Sequence, residues 1–429
     1  MGKGKPSSSN KKKKKNGKQL NSSKNNLPPP PPNAADLSNL SVEELVTRGE
    51  AAVELLKPIE ALELYECAAN KIEIGNGNES GAHIMAAIKE RQGEIFAQLG
   101  DQAKSRDCFA QSIHVTPVND ERKAGRMLYL AQMLGGKEAL AQFSAAVNML
   151  KDNSNAEAHF SNAEAHSMLC AAYCSISELY MTDLCFEEDA EKNCEEALSL
   201  ATKLDDGCSP NVLQQLANLR LSQQRGEEAV GYMKEVWERV KVPCSQAAST
   251  YFMDASSNDA DADAVVKGTG ASASASKSAE GAFEPDLSAM ENLPSFEFRT
   301  STAKLLMESA SCLDTSNSDY TLLNNAAVTV LASLIIENDE VVETFFLIGC
   351  AFKALFDWGN ATLYLRRAGE MLNKCKKVVE SEIQAKGFDG GGELQLELED
   401  IDMRLESIEE SLEEIEDSKG EDDDEMNDE

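Results

Sequence analysis

The chain has 429 residues, of which 42% are apolar and only 6% aromatic, and it carries a formal net charge of −33. This length and apolar content allow a sizeable core, built as two or three ordinary domains or as one array of repeats with appendages. Phosphates would repel so negative a chain, which argues against nucleic acid as the main partner and favours a basic one.

The sequence gives no sign of membrane insertion or secretion. No stretch approaches the roughly 20 apolar residues of a membrane-spanning helix, and the N-terminus has no apolar signal-peptide core. The 11 cysteines are scattered along the chain, whereas disulfide frameworks belong mainly to small secreted domains. We therefore expect reduced thiols, no membrane partner, and a location in the nucleus and the cytoplasm.

The first 40 residues are predicted to form a disordered tail rich in lysine and proline. Residues 1–26 contain nine lysines and no acidic residue, and a proline run follows at Pro28–Pro32. Such a segment cannot bury enough apolar surface to offset its ordering entropy. Its longest lysine run fits a nuclear-import signal, which makes an import receptor an expected partner; a solubilising tail is the alternative. That run consists of Lys11, Lys12, Lys13, Lys14 and Lys15.

Helical repeats are predicted from residue 41 to residue 253. Ser41 and Glu44 have the capping-box spacing, so a helix should begin there. Small and large residues then recur at the spacing of tetratricopeptide repeats, which are helix–turn–helix units of about 34 residues. In the first unit these positions are Leu45, Gly49, Ala52, Ala61, Tyr65 and Ala68. Five units fit residues 41–253, and the fourth has an unusually long loop, Thr182–Glu188.

Two further repeats are predicted in residues 284–386, after a low-complexity linker at residues 254–283. The clearest unit of the chain is Phe345–Ala368, where the small residues Gly349 and Ala361 allow two helices to approach closely. One such hairpin cannot bury its apolar face alone and implies stacked neighbours. We therefore predict an all-α fold: a tetratricopeptide-like, right-handed helical solenoid of about seven helix pairs with disordered tails.

An acidic amphipathic helix is predicted at residues 393–418, followed by an acidic disordered tail at residues 419–429. Apolar residues recur in this helix at alternating spacings of four and three, which is a heptad stripe. They are Leu394, Leu398, Ile401, Leu405, Ile408, Leu412 and Ile415. We expect the helix to cap the last repeat, because its many carboxylates would repel one another across a homodimer. A dimeric coiled coil is the alternative.

No pattern in the sequence predicts catalysis or a cofactor. Gly135-Gly136-Lys137 lacks the upstream glycine and the following Ser or Thr of a phosphate-binding loop. Cys170 and Cys174 lie one helical turn apart, but no second CxxC or histidine pair completes a metal site. The four histidines have no motif that links them to a nucleophile. We therefore expect a binding protein with no cofactor and no metal, rather than an enzyme.

The first helix of each repeat should line a groove, and its predicted groove residues are acidic. The repeat phase places inward Glu50, Glu90, Glu94 and Glu343, and the long fourth loop adds Asp183, Glu187, Glu188 and Asp189. Together they predict a surface for Lys/Arg-rich peptide; ordinary solvated helix faces are the alternative. Repeat modules that clamp acidic chaperone tails carry Lys and Asn inward. This chain has Val46 and Glu50 at those positions, and Glu50 would repel a carboxylate.

Four short segments do not correspond to general positions of a tetratricopeptide repeat. They are YLAQ with GGKEAL (residues 129–132 and 135–140), ISELYMTDLC (176–185), LSQQR (221–225) and PSFEFR (294–299). In these segments, and more weakly from about residue 41 to residue 415, the chain resembles the dedicated assembly chaperones of large-subunit ribosomal protein four. The resemblance implies a protein that binds the basic internal extension of the new ribosomal protein. Such a protein keeps its client soluble, accompanies it into the nucleus and releases it onto pre-60S ribosomes.

The resemblance also directs attention to particular side chains. We expect client contacts from Glu178, Tyr180, Asp183, Glu187, Glu188 and Asp189. Packing in the core is an alternative for Tyr180. Glu297 and Arg299 are expected instead to brace the repeat that follows the linker. The main alternative function is a general scaffold or co-chaperone that bridges other proteins, which would bind neutral or acidic motifs as readily as basic ones.

Overall fold

The computed structural model describes residues 37, 39–74, 79–117, 120, 122–155, 162–205, 209–258, 292–386 and 392–425. Within these residues the regular elements are all α-helices, as predicted. In chain order they are α1 (Val42–Glu54), α2 (Pro58–Ile74), α3 (Glu79–Gln98), α4 (Gln102–Val115), α5 (Arg122–Gln132), α6 (Gly136–Asn155), α7 (Asn162–Met181), α8 (Ala190–Leu204), α9 (Pro210–Ser222), α10 (Gly226–Asn258), α11 (Phe296–Ser311), α12 (Ser318–Ile335), α13 (Val342–Ala354), α14 (Trp358–Lys386) and α15 (Gly392–Glu425). None of these helices is long and apolar enough to cross a lipid bilayer.

The described helices form pairs within two compact units, which divide between residues 117 and 118. In the first unit α1 packs against α2 and α3 packs against α4. In the second unit the pairs are α5/α6, α7/α8, α9/α10, α11/α12 and α13/α14. These seven described pairs confirm the prediction of a tetratricopeptide-like helical-repeat fold.

In both helix pairs of the first unit, close approach of the two helices depends on a glycine that faces a large side chain. A Cβ atom on Gly49 of α1 would lie 2.7 Å from Tyr65 of α2. A Cβ atom on Gly93 of α3 would lie 2.7 Å from Phe109 of α4. Both rings are buried. Glycine lets each ring lie directly on the backbone of the first helix. The recurrence of small and large residues in the sequence indicates this close packing.

The capping box at the start of α1 is present. The Ser41 side chain accepts a hydrogen bond from the Glu44 N–H at 3.1 Å, and the Ser41 N–H donates to the Glu44 carboxylate at 2.8 Å.

The predicted boundary of the disordered tail at residue 40 is wrong, however. Leu37 is buried and Leu40 is half-buried in the core of the first unit. Leu40 directly precedes the N-cap, where an apolar residue commonly packs onto the first turn of the helix.

Two predicted helix ends also differ from the structure. Helix α10 continues to Asn258, into the segment predicted as linker from residue 254. Helix α15 continues to Glu425, so that most of the predicted disordered tail, residues 419–429, is helical. Once a helix has formed, each added residue gains one hydrogen bond at little further cost. A docked helix therefore extends beyond its last packed residue into polar sequence.

The C-terminal helix α15 packs on α13 and α14. The buried positions of its heptad stripe are Ile401, Ile408 and Ile415. They join the hydrophobic core of the second unit. Ion pairs link Lys353 of α13 with Glu414, and Lys376 of α14 with Asp402 at 2.6 Å. The predicted capping role of this helix is confirmed, because its apolar stripe faces the last helix pair of the same chain.

Arg299 ties α11 to α12 from a buried position. Its guanidinium donates to the carbonyl oxygens of Pro294 and Ser333, each at 2.9 Å, and also contacts the Glu337 carboxylate. The side chain is only 1% exposed. The predicted bracing role is therefore confirmed for Arg299, whereas Glu297 lies exposed in the first turn of α11.

The LSQQR segment holds the turn between α9 and α10 against α8. Gln223 donates to Glu191 at 2.8 Å and to Glu195 at 3.2 Å. Arg220, just before the segment, pairs with Glu195 at 2.9 Å. The hydrogen bond from Gln223, followed by that from Arg220, lowers the pKa of the Glu195 carboxyl. The residues that carry this part of the resemblance thus have a structural role.

Three turns within the helix pairs hold a non-glycine residue in the left-handed region of backbone space. The φ angle is 56° at Leu56, 59° at Gln224 and 60° at Phe356. The turn between α3 and α4 uses Gly100 instead, with a φ of 79°. A side chain in this region costs roughly 1–2 kcal/mol, because its Cβ atom crowds a neighbouring carbonyl oxygen. The Leu56 side chain is 88% exposed, so little packing offsets that cost.

We expect Leu56→Gly to stabilise the protein by about 0.5–1 kcal/mol, because relief of the left-handed strain outweighs the flexibility that glycine adds to the unfolded chain. Urea denaturation measures the change. Leu55→Gly is the matched control, since Leu55 is also exposed but has an ordinary φ of −85°. Glycine at position 55 should destabilise the protein. If Leu56→Gly also destabilises the protein, the leucine side chain contributes more to the free energy of unfolding than its left-handed backbone conformation costs.

Candidate protein-binding surfaces

Two of the predicted carboxylates hold the long fourth loop against the start of α6. The Gly136 N–H donates to the Asp183 carboxylate at 2.7 Å, and Lys137 pairs with Glu187 at 2.9 Å. Gly136 is the first residue of α6, where unsatisfied N–H groups and the helix dipole favour an anion. Asp183 and Glu187 therefore have a structural role in fixing the loop, whatever else they bind.

The rim of the same loop presents an aromatic ring among carboxylates. Phe186 is 99% exposed, whereas Leu184 is buried beneath the loop. Glu188 and Asp189 are exposed next to Phe186 in the chain, and the Asp189 side chain makes no capping bond to α8. Aromatic residues are enriched in protein–protein interfaces. Sequence reasoning missed Phe186, although a lone aromatic residue in an acidic loop is a visible signal.

A groove of about 470 Å³ lies between α7, the end of α8 and the start of α9. Glu178 and Asp205 contribute carboxylates to it, and Cys170 and Cys174 also line it. Tyr180 does not line this groove; it is half-buried against the cores around α7 and α8. The core alternative therefore fits Tyr180, while Glu178 remains available in an open acidic groove.

In the first unit, the charges of two predicted groove residues affect one buried tyrosine. Burial raises the pKa of the Tyr65 hydroxyl to about 12. The charges of Glu50 and Glu94 also raise this pKa, and the charge of Arg91 lowers it. Arg91 and Glu94 form an ion pair at 2.8 Å on α3, where Glu90 is half-buried. Glu50 of α1 and Glu94 of α3 thus both act electrostatically on Tyr65.

The remaining predicted site residues do not join these surfaces. Glu343, in the first turn of α13, pairs with Lys304 at 2.6 Å. The predicted import signal, Lys11–Lys15, lies outside the described residues. Among the residues that the structure describes, no three His, Cys, Asp or Glu side chains come close enough together to hold a metal ion.

Stacked helix pairs with acidic side chains on their exposed surfaces define a helical-repeat protein of the tetratricopeptide class, whose broad surfaces suit the binding of other proteins. No family model matches the chain. The chain is similar to two fungal proteins, each described as a probable assembly chaperone of rpl4. It is 32% identical to the one from Schizosaccharomyces pombe over 199 residues, which are 46% of this chain and 54% of that protein. It is 26% identical to the one from Emericella nidulans over 320 residues, which are 73% of this chain and 65% of that protein.

The chain therefore spans between half and two thirds of the length of these two relatives. Among solved structures, it is similar to residues 1–338 of an assembly chaperone of RpL4, Acl4. The sequence identity is 23% and the TM-score is 0.49, and the match covers 74% of this chain and 97% of that structure.

Proposed function

We propose that this protein is a chaperone that binds newly made large-subunit ribosomal protein four and delivers it to pre-60S ribosomes. The observation that carries the proposal is the sequence similarity to two relatives described as probable assembly chaperones of rpl4. With the second relative, this similarity covers 73% of the chain. The complex would move from the cytoplasm into the nucleus, with Lys11–Lys15 as the signal for an import receptor.

The charge of the chain suits a cationic client. Its formal net charge is −33, and exposed carboxylates occur on α1, on α7 and on the loop at residues 182–189. A ribosomal protein that has not yet met its own RNA is cationic and would bind other nucleic acids, so carboxylates that screen its charge keep it soluble. Ordering a flexible client segment costs free energy, which keeps the complex reversible. Ribosomal RNA can then compete for the client, and no catalytic step is required.

Co-expression of the full chain with ribosomal protein four, followed by gel filtration, tests this proposal. We expect a soluble one-to-one complex that is lost when the basic internal extension of the client is deleted. Lysozyme, a basic protein unrelated to ribosomes, serves as the charge control and should not co-elute. The absence of a complex, or a complex that does not need the extension, would favour a general scaffold that bridges other proteins.

Reversing charge on the rim of the fourth loop should weaken client binding. The double variant Glu188→Lys with Asp189→Lys leaves the two loop-fixing carboxylates intact, and we expect about a tenfold loss of affinity, or about 1.4 kcal/mol. The loss should shrink as salt is raised, because salt screens exposed charges. Titration calorimetry at low and high salt measures both effects.

The control for this variant changes the net charge equally at a distant place. Glu409→Lys with Glu410→Lys alters two exposed residues of α15 and should weaken binding much less. Equal losses in the two double variants would assign the effect to overall charge rather than to the loop. Unchanged affinity of the loop variant at both salt concentrations would remove the loop from the binding surface.

A further inference from the structure

The aromatic ring of Phe186 lies in solvent, on the loop between α7 and α8. Phe186 is 99% exposed, the highest value among the large apolar side chains that the structure describes. Phe356, the next most exposed aromatic residue among them, is 58% exposed. Aromatic side chains contribute strongly to the free energy of binding in protein interfaces. The whole face of the Phe186 ring is available to a partner.

The loop holds this ring outward. Leu184, two residues earlier, is 5% exposed and fills the position beneath the loop. Its N–H donates to the Leu179 carbonyl oxygen at 2.9 Å, and its own carbonyl oxygen accepts from the Glu187 N–H at 3.0 Å. The Glu187 carboxylate pairs with Lys137 of α6 at 2.9 Å. The backbone on both sides of Phe186 is therefore fixed before binding, which lowers the ordering cost that a contact at this ring must offset.

Two exposed carboxylates follow the ring in the chain. Asp183 and Glu187 are already bonded to the start of α6. Glu188 and Asp189 are exposed, and within the described part of the chain neither carboxylate has an ion-pair partner. An extended chain spans at most about 3.6 Å per residue, so the Cα atoms of Phe186 and Glu188 lie within about 7 Å of each other. One long side chain of a partner can therefore reach both the ring and a carboxylate.

We propose that Phe186, with Glu188 and Asp189, forms a contact site for an arginine side chain of a bound basic segment. This inference rests on the proposed function, since a basic client supplies such arginines. A guanidinium group is planar and weakly hydrated, so it stacks on an aromatic face while its edge pairs with a carboxylate. A lysine ammonium is compact and strongly hydrated, and it gains less from an open ring. An apolar pocket on a partner fits less well, because it would have to desolvate the neighbouring carboxylates.

The test uses the full chain and a short fluorescent peptide of alternating arginine and serine, with a lysine–serine peptide for comparison. Fluorescence anisotropy at physiological salt gives the affinities. Phe186→Leu keeps an apolar side chain but removes the aromatic face, and we expect it to weaken binding of the arginine peptide about threefold to fivefold. The lysine peptide should lose less than twofold. Phe186→Trp should bind the arginine peptide at least as well as the original chain, because indole is the strongest cation–π partner.

Folding should be unaffected by these two variants. The ring of Phe186 is 99% exposed, so neither substitution removes packing in the core. Urea denaturation should therefore give the same midpoint for both variants and for the original chain, and any change in affinity then reports on binding alone.

Phe356→Leu is the matched control. Phe356 is also an exposed aromatic residue in a turn, but the carboxylate that follows it, Asp357, accepts hydrogen bonds from the Asn360 N–H at 3.1 Å and the Asn360 side-chain amide at 2.7 Å. Its replacement should leave peptide affinity unchanged within twofold. Unchanged affinity of Phe186→Leu for the arginine peptide would overturn the site. So would equal losses for the two peptides, an equal loss in Phe356→Leu, or a loss in Phe186→Trp as large as in Phe186→Leu.

A double-mutant cycle tests whether one arginine contacts both the ring and a carboxylate. Glu188→Gln alone should also weaken binding of the arginine peptide. Combined with Phe186→Leu it should weaken binding less than the product of the two single effects, because the two groups share one partner. Losses that multiply would place the ring and the carboxylate in separate contacts and would overturn the shared site.

The same variants separate this inference from the proposed function. If the original chain binds ribosomal protein four and Phe186→Leu binds it equally well in calorimetry, the arginine site is wrong while the chaperone function stands. If the original chain does not bind ribosomal protein four, the chaperone function is wrong. The arginine-peptide titration then still decides whether the site exists.

Discussion

Replacement of Arg299 by alanine should destabilise the protein by about 3–5 kcal/mol, the range for breaking a buried charged network by removing one partner. The side chain is 1% exposed, and its guanidinium has three acceptors besides the Ser333 hydroxyl. They are the carbonyl oxygens of Pro294 and Ser333 and the carboxylate of Glu337. Alanine would leave both carbonyl oxygens without this donor and would open a void between α11 and α12.

The position of Ser333 explains why a cation is needed. Ser333 lies in the last turn of α12, where carbonyl oxygens have no partner within the helix and the helix dipole is negative. Arg299 satisfies that carbonyl and completes the turn. Lysine cannot replace the planar fork of donors, so Arg299→Lys should recover only a small part of the lost stability.

Two further variants make the Arg299 measurement specific. Arg239→Ala removes a more exposed arginine whose ion pair with Glu235 lies within one helix, and it should cost less than about 0.5 kcal/mol. Arg299→Met keeps most of the side-chain volume but none of the donors. Urea denaturation of Arg299→Ala, Arg299→Lys, Arg239→Ala and Arg299→Met gives the comparison. A loss below about 1 kcal/mol in Arg299→Ala would show that the network does not brace α11 on α12.

Structural features that depend on residues close together in the sequence could be predicted. The separation of Gly49 from Tyr65 follows from the geometry of one helix pair, so the pattern alone gave the pairs and their order. The capping box at Ser41 and the heptad stripe of α15 are local in the same sense. Arg299 was expected to brace its repeat because its segment, PSFEFR, resembles a known family.

Contacts between pairs could not be predicted in this way. Asp183 accepts a hydrogen bond from Gly136, which lies 47 residues earlier. The repeat period does not indicate which loop carboxylate contacts which helix N-terminus. The same limit applies to the pairing of Glu343 with Lys304 of α11.

Valine in place of Gly349 should destabilise the second unit by about 2–3 kcal/mol, because overpacking of a tight core costs about 1–3 kcal/mol. A Cβ atom on Gly349 of α13 would lie 2.8 Å from Cγ of Leu365 and 3.2 Å from its backbone nitrogen. The side chain of Leu365 could move, but the backbone of α14 could do so only by separating the helices. Gly231→Val in α10 is the matched control, since a Cβ atom there meets nothing within 4 Å.

A second substitution tests whether the clash with Leu365 is the cause. Leu365→Ala alone should cost about 2–5 kcal/mol, because it leaves a cavity in the core. Combined with Gly349→Val it should cost less than the sum of the two single changes, since the valine methyl groups fill part of that cavity. The coupling energy, measured by urea denaturation of the full double-mutant cycle, should be about 1 kcal/mol or more. Strict additivity would mean that the glycine is required by the backbone of α13 itself and not by its approach to α14.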